Sequence, residues 1–159
     1  MHKSVATRTI QTLLIMVTLT CLATTALAVE TKPETPKTLE KVKVISVDEA
    51  KALLDKNGAK FFDMRSAINY GKGHLAGAVA LPYIDKSEYK PNFDASKDSF
   101  DMSKLPADKN APIVFYSDGP TGWKSYKAAA LARKAGYKKV MWMRDGTAKW
   151  EAKKLPLQQ

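Results

Sequence analysis

The sequence predicts an α/β fold, a single domain with a central parallel sheet flanked by helices. Short apolar runs alternate with segments of helical pattern, and strands that alternate with helices favour a parallel sheet. The clearest unit is an apolar strand at Ile113–Tyr116, a loop with two glycines and a proline at residues 117–122, and an alanine-rich helix that begins at Ser125 and ends at Gly136. Because ligands of α/β proteins bind at the carboxyl ends of strands, this loop is the predicted site.

The remaining elements follow the same alternation in order along the chain. Ser46 and Glu49 form a capping box that starts the first helix, and Asn57-Gly58 ends it. Further strands are predicted at residues 42–45, 60–63, 78–81 and 140–143, a helical turn at 66–70 and a last short helix at 147–153. Residues 83–110 are polar and weakly patterned, which predicts either an insertion with short helical turns or an exposed lid.

Residues 1–28 are predicted to be a signal peptide, because a basic start precedes an apolar run and the small-x-small triplet Ala26-Leu27-Ala28. An uncleaved membrane anchor and a lipoprotein at Cys21 are the alternatives. Residues 29–41 carry two prolines and mixed charge, which predict a flexible linker, and residues 42–159 form the domain. We therefore expect a periplasmic or secreted protein that meets the membrane only through the signal segment, if that segment stays uncleaved.

The composition limits the chemistry that the processed chain can perform. Cys21 is the single cysteine, and it lies in the predicted signal, so cleavage would leave His74 and no thiol. A disulfide, a thiolate nucleophile or a cysteine metal site is then excluded, and neither a metal nor another cofactor is predicted. The formal net charge of +10 favours anionic partners. Nucleic acid is not the predicted partner, because export argues against it and the basic residues are scattered among acidic ones.

Several segments resemble the rhodanese-like domain, in order and at matching spacing, over about residues 42–159. Segment 62–65 (FDMR) is similar to the family's apolar-Asp-x-Arg, and segment 73–78 (GHLAGA) to its Gly-His-Ile-x-Gly-Ala. Segment 135–137 (AGY) before an apolar strand resembles the end of the active-loop helix, and segment 145–150 (DGTAKW) resembles Gly-Gly-x-x-x-Trp. The central loop looks closest to an exported branch that reads Tyr-Cys-x-Gly-Pro-x-Cys-Trp-x-Ser-Tyr-Lys-Ala. The resemblance implies a parallel sheet and a sulfurtransferase-type loop.

The departures from this pattern concern the chemistry of the loop. The family transfers sulfane sulfur through a persulfide on the first loop cysteine, and Ser117 stands at that position. Gly122 stands at the second cysteine of the exported branch, and Asn69 and Asp145 replace an acidic residue and a glycine. A serine hydroxyl is not ionised near neutral pH and forms no S–S bond, so the sequence predicts no persulfide sulfurtransferase activity. Ser117→Cys is expected to restore some activity, and Gly122→Cys to add to it.

What the loop retains is the ability to bind. Its amides and the start of the following helix would suit a small oxyanion or an acidic exported protein, with Ser117 facing a concave surface. The predicted ligand-binding residues are Ser117, Asp118, Gly119, Pro120, Thr121, Gly122, Trp123, Lys124 and Ser125, supported by Asp63, Arg65 and Arg144.

Alternatives for these residues stay open. Asp63 and Arg65 are interpreted as an ion pair that braces the loops. Ser117 with His74, or Asp118 alone, could serve a hydrolase. In a third reading a thiol partner carries the sulfur, and this domain only presents an anion.

Overall fold

The computed structural model describes residues 32–159, and the predicted signal segment 1–28 lies outside them. A five-stranded parallel sheet has the strand order β1-β5-β4-β2-β3, which confirms the predicted fold class. The strands are β1 Lys43–Val44, β2 Lys60–Asp63, β3 Val79–Ala80, β4 Ile113–Tyr116 and β5 Val140–Met143. The helices are α1 Val47–Asp55, α2 Ala67–Lys72, α3 Trp123–Lys134 and α4 Gly146–Ala152. Within residues 32–159, no helix is both long enough and apolar enough to cross a membrane.

Strand β4 lies at the middle of the sheet and is buried on both faces. Ile113 and Phe115 belong to the apolar cluster beneath α3. Val114 and Tyr116 belong to the cluster on the opposite face, beneath α1 and α4. Successive side chains of a strand point to opposite faces, so a strand covered by helices on both sides reads as an unbroken apolar run. This is why β4 is the clearest strand in the sequence.

The helix starts depend on local hydrogen bonds. The predicted capping box of α1 is confirmed, since the Ser46 hydroxyl accepts from the Glu49 N–H at 3.2 Å and the Glu49 carboxylate accepts from the Ser46 N–H at 2.9 Å. Helix α3 begins at Trp123, two residues before the predicted start at Ser125. The turn in which the Gly122 N–H donates to the Gly119 carbonyl at 2.7 Å leads directly into α3, so the helix can begin as soon as that turn closes.

Residues 83–110 form an insertion with short helical turns, which was the first of the two predicted alternatives. Short 3-10 turns occur at Ala95–Lys97 and Met102–Lys104. Tyr83 and Leu105 are buried in the cluster beneath α3. The insertion therefore packs on the domain rather than standing away from it.

Candidate functional site

Ser117 lies directly after β4, at the carboxyl end of the central strand, as predicted. Its side chain is buried, with 1% exposed. The hydroxyl lies 2.8 Å from the Ser125 hydroxyl and donates to the Gly122 carbonyl at 3.1 Å. Ser125 also donates to the Gly122 carbonyl at 3.0 Å. The expectation that Ser117 faces a concave surface was therefore wrong, because its hydroxyl is buried against Ser125 in the first turn of α3 and the Gly122 carbonyl.

Two backbone N–H groups near the loop already donate hydrogen bonds to carbonyls of the loop. The Gly122 N–H donates to the Gly119 carbonyl, and the Trp123 N–H donates to the Thr121 carbonyl at 3.0 Å. Since a donor that is already paired binds an anion poorly, these two N–H groups contribute little to the predicted anion cradle.

Helix α4 fixes the start of the loop through two backbone hydrogen bonds. The Thr147 N–H donates to the Ser117 carbonyl at 3.0 Å, and the Ala148 N–H donates to the Asp118 carbonyl at 2.9 Å. Gly146 has a φ of +56°, and a Cβ there would lie 2.3 Å from the Ser117 carbonyl oxygen. Only glycine permits this close approach at that φ, so the Asp145-Gly146 turn fixes the position of the loop.

A cavity of about 590 Å³ opens beside the loop rather than over Ser117. It is lined by Arg65, Asn69, Lys72, Gly73, Asp118, Thr147, Glu151 and Leu157. Of the predicted binding and supporting residues, it brings together Arg65 and Asp118. Two cations and two carboxylates line it, so the cavity is polar and nearly balanced in charge.

Asp63 and Arg65 form the buried ion pair that the sequence suggested as a brace. The Arg65 Nη2 donates to Asp63 Oδ2 and to the Gly73 carbonyl, both at 2.6 Å, and Nε donates to both carboxylate oxygens at 3.0 and 3.1 Å. Burial lowers the pKa of Arg65, but the hydrogen bonds and the charge of Asp63 outweigh it and raise that pKa above its usual value. The Nη1 atom lies 3.5 Å from the Thr147 hydroxyl at the cavity wall.

Arg144 was predicted to support an anion site, but it binds the segment that precedes the domain. We call residues 33–36 the N-terminal strap. Arg144 donates to the Pro36 carbonyl from Nε at 3.1 Å, and from Nη2 to the Thr35 carbonyl at 2.8 Å and the Glu34 carboxylate at 2.9 Å. Arg144 therefore points to the strap from two of its nitrogen atoms, and it is not among the residues that line the cavity.

The strap also contacts the loop. The Thr35 N–H and hydroxyl both donate to the Pro120 carbonyl at 2.8 Å, and the Trp123 indole N–H donates to the Pro33 carbonyl at 2.8 Å. Thr35 is buried. The part of the predicted linker at residues 33–36 is therefore bonded to the outer side of the loop.

The other predicted residues of the loop differ in exposure. Asp118 and Thr121 are exposed, Lys124 is partly exposed, and Trp123 is buried. The His74 Nδ1 atom lies 3.1 Å from the Tyr70 carbonyl, and its ring stacks on the Tyr70 ring at 3.7 Å. These contacts tie His74 to helix α2 and give no support to a Ser117–His74 catalytic pair.

The sequence reading missed a second buried group of charges. Lys127 on α3 is fully buried, and its ammonium contacts Asp85, lies 3.2 Å from Asp98 Oδ2 and donates to the Ser87 hydroxyl at 2.7 Å. The one available signal was a lysine between Tyr126 and the alanine run of α3. Among residues 32–159, no group of three or more His, Cys, Asp or Glu side chains is placed to hold a metal ion.

The architecture and the loop position define a class of protein. The family model for the rhodanese-like domain matches residues 46–153. The chain belongs to the rhodanese-like domain family.

Similar proteins extend this assignment. YibN, an uncharacterized protein of Escherichia coli (strain K12), is 34% identical over 117 residues, which are 74% of this chain and 73% of YibN. The tRNA uridine(34) hydroxylase of Escherichia coli O1:K1 / APEC is 30% identical over 66% of this chain, and that match spans 27% of the hydroxylase. The solution structure of the rhodanese-like domain of the Alr3790 protein from Anabaena sp has a TM-score of 0.53 and 26% identity, and the match covers 76% of this chain and 80% of that one.

Proposed function

We propose that this chain is an exported rhodanese-like domain that does not carry sulfur itself and acts as a non-catalytic accessory protein that binds an anion or a partner. The observation that carries the proposal is the environment of Ser117. By resemblance it stands where the family has its persulfide-forming cysteine, and its hydroxyl is buried against the Ser125 hydroxyl and the Gly122 carbonyl. Neither of these groups is a general base, so the hydroxyl is not activated as a nucleophile.

The cavity beside the loop favours a segment of a partner protein over a free oxyanion. Lys72, the Arg65 Nη1 atom and the Thr147 hydroxyl can donate to an anion. Asp118 and Glu151 line the same cavity, and their negative charges repel a small free anion. A protein segment that carries both donors and acceptors can satisfy both sets of side chains. The binding role therefore suits a partner whose own polar groups complement the cavity.

The first measurement is a thiosulfate:cyanide sulfurtransferase assay on protein from the exported fraction. Intact mass should place its N-terminus at Val29, so that Cys21 is absent. We expect no turnover above background. Clear turnover in that cysteine-free protein would overturn the proposal, because no residue could then carry the sulfur. A full-length, membrane-extracted species would contradict the export part of it.

The second measurement uses a variant with a thiol at position 117. Ser117→Cys places a sulfur close to the start of α3, where the helix dipole lowers a thiol pKa, although burial opposes this. We expect weak turnover, or a persulfide formed by thiosulfate and detected as one added sulfur atom in the intact mass. Ser103→Cys, in the exposed turn of the insertion, is the matched control and should gain neither. Equal persulfide formation in both variants would show that the loop contributes nothing.

The second predicted substitution, Gly122→Cys, is not expected to help. A Cβ at Gly122 would lie 2.1 Å from the Ser117 hydroxyl and 2.7 Å from the Gly119 carbonyl oxygen. The first atom could move with its side chain, but the second belongs to the turn that leads into α3. We therefore expect Gly122→Cys to distort the loop and to lower the activity of the Ser117→Cys variant.

A further inference from the structure

A second concave surface lies at the amino ends of the strands, opposite the Ser117 loop. It is a groove of about 440 Å³ that we call the basic groove, and it is lined by Lys41, Lys43, Leu53, Gly58, Pro112, Lys138, Lys139, Val140 and Met141. The sheet explains why these residues meet, because Lys43 is in register with Met141 on β5. The Ile113 N–H donates to the Lys139 carbonyl at 3.1 Å, which brings the turn before β5 beside the start of β4.

The groove carries an excess of positive charge. Lys41 has Glu40 at 3.4 Å and Lys43 has Glu49 at 2.9 Å, and all four side chains are exposed to solvent. Lys138 and Lys139 are exposed. Within residues 32–159, neither has a carboxylate within 4.0 Å.

The cations continue beyond the basic groove. Lys60 at the start of β2 is in register with Ile113. An adjacent groove of about 360 Å³ is lined by Lys41, Arg133 and Lys134 among others. Part of the +10 charge of the chain is therefore gathered at this end of the sheet.

The lining of the groove also includes apolar residues. Leu53, Pro112 and Met141 line it and are partly exposed. A ligand for this surface therefore needs both negative charge and an apolar group.

We propose that the basic groove binds an acidic segment of a partner protein that carries one or two apolar side chains between its carboxylates. The proposal goes beyond the accessory role assigned to the loop end and does not depend on it. A flat lipid surface does not fill a concave groove of this kind. Single-stranded nucleic acid is bound through aromatic stacking, and none of the described residues that line this groove is aromatic or arginine. An acidic peptide fits both the charge and the concavity.

The test uses the purified protein and a fluorescein-labelled peptide of sequence Glu-Glu-Leu-Glu-Glu-Leu-Glu-Glu, with binding followed by fluorescence anisotropy at low salt. We expect saturable binding that weakens as salt is added. The double variant Lys138→Glu/Lys139→Glu should weaken it by about tenfold or more. The matched control Lys90→Glu/Lys104→Glu changes the net charge equally on the exposed insertion and should change the affinity less than about twofold. Replacing both leucines of the peptide by serine should also weaken binding.

Other outcomes decide against the proposal. Equal losses in the two double variants would mean that only the net charge attracts the peptide. Absence of binding to the unmodified protein would overturn the proposal directly. Binding of phosphatidylglycerol vesicles or of a short DNA duplex through Lys138 and Lys139, with no binding of the peptide, would assign the surface to a different partner. Thermal unfolding of each variant shows that it is folded, and Lys138→Gln/Lys139→Gln replaces the charge reversal if that variant is not.

Discussion

Residues 32–159 bury two cations beside carboxylates, Arg65 and Lys127, and the two groups differ in how far apart their members lie along the sequence. Asp63 and Arg65 are two residues apart at the end of β2, and they bond to each other and to the Gly73 carbonyl. Lys127 on α3 instead meets Asp85, 42 residues away, together with Asp98. The first group braces one wall of the cavity beside the loop. The second attaches the insertion to the helix that follows the loop.

The charges of the two groups are also balanced differently. Arg65 faces one carboxylate, and the geometry of its guanidinium matches that carboxylate with several N–H donors. Lys127 faces two carboxylates, and Asp85 Oδ2 is buried without a hydrogen-bond partner among the described residues. Removal of the cation should therefore cost more in the Lys127 group, where two buried charges would be left.

The largest effect is expected for Lys127→Met. Loss of one partner of a buried ion pair typically costs roughly 3–5 kcal/mol, and here Asp85 and Asp98 would both lose their cation. Urea unfolding followed by tryptophan fluorescence measures the change in the free energy of unfolding. Lys124→Met on the partly exposed side of α3 is the control and should change it by about 0.5 kcal/mol or less. A loss below about 1 kcal/mol for Lys127→Met would show that the insertion does not depend on this cation.

A smaller loss is expected for Arg65→Met, on the order of 2–4 kcal/mol. Asp63 would keep one hydrogen bond, from the N–H of residue 65 at 2.9 Å, so its charge would not be left wholly unpaired. Arg65→Lys should recover only part of the loss, because an ammonium cannot reproduce the contacts of the guanidinium. The same urea experiment ranks the two variants by their loss in the free energy of unfolding. A larger loss for Arg65→Met than for Lys127→Met would contradict the prediction that the Lys127 group depends more on its cation.

The local ion pair could be predicted from the sequence, and the long-range group around Lys127 could not. The spacing of Asp63 and Arg65 after an apolar strand was enough to predict their pairing, because the partners are local. The pairing of Lys127 with residues of the insertion required knowledge of how a weakly patterned segment folds. Likewise, the position of Ser117 at the end of β4 followed from the strand pattern. The direction of its hydroxyl did not, because it depends on Ser125 and the Gly122 carbonyl.

The binding site shows the same limit. The loop motif located the correct end of the sheet, but most of the cavity lining comes from α2, α4 and the chain end, such as Asn69, Glu151 and Leu157. Glu151 and Leu157 carry no motif that distinguishes them from surface residues, and Asn69 stood out in the sequence only as a departure from the family pattern. Arg144 was assigned to the site from its charge, but its Nε and Nη2 atoms donate to the N-terminal strap. The strap is an extended segment far from Arg144 along the chain, and such a contact produces no periodic pattern in the sequence.

The stability that Asp98 contributes in the Lys127 group should depend on pH. Burial acts to raise the pKa of Asp98, but hydrogen bonds from Ser87, from the Lys86 N–H and from Tyr83 lower it to about 2, from an ordinary value of 3.8. A carboxylate whose folded pKa is lowered stabilises the fold above its unfolded pKa, and that contribution is lost as the pH falls from about 4 to 2. Each pKa unit corresponds to about 1.4 kcal/mol, so the loss is on the order of 2 kcal/mol.

The measurement compares unfolding free energies of the unmodified protein and Asp98→Asn across this pH range. Other acidic side chains titrate in both proteins, so the difference between the two isolates Asp98. We expect Asp98→Asn to be less stable at pH 5 and the gap to narrow toward pH 2. A constant gap would mean that the charge of Asp98 does not contribute.

The smallest effect is expected for an ion pair that also joins distant parts of the chain but lies on the surface. Lys153 Nζ is 2.7 Å from Asp48 Oδ1, and the two side chains are 37% and 74% exposed. Solvent weakens such a pair, and holding two long side chains together opposes it. Lys153→Met should therefore change the free energy of unfolding by about 0.5 kcal/mol or less, and salt should reduce even that. Asp48 is left in place because it lies in the first turn of α1, where a negative charge also interacts with the helix dipole. If Lys153→Met cost as much as Arg65→Met, separation along the chain rather than burial would set the contribution of an ion pair in this protein.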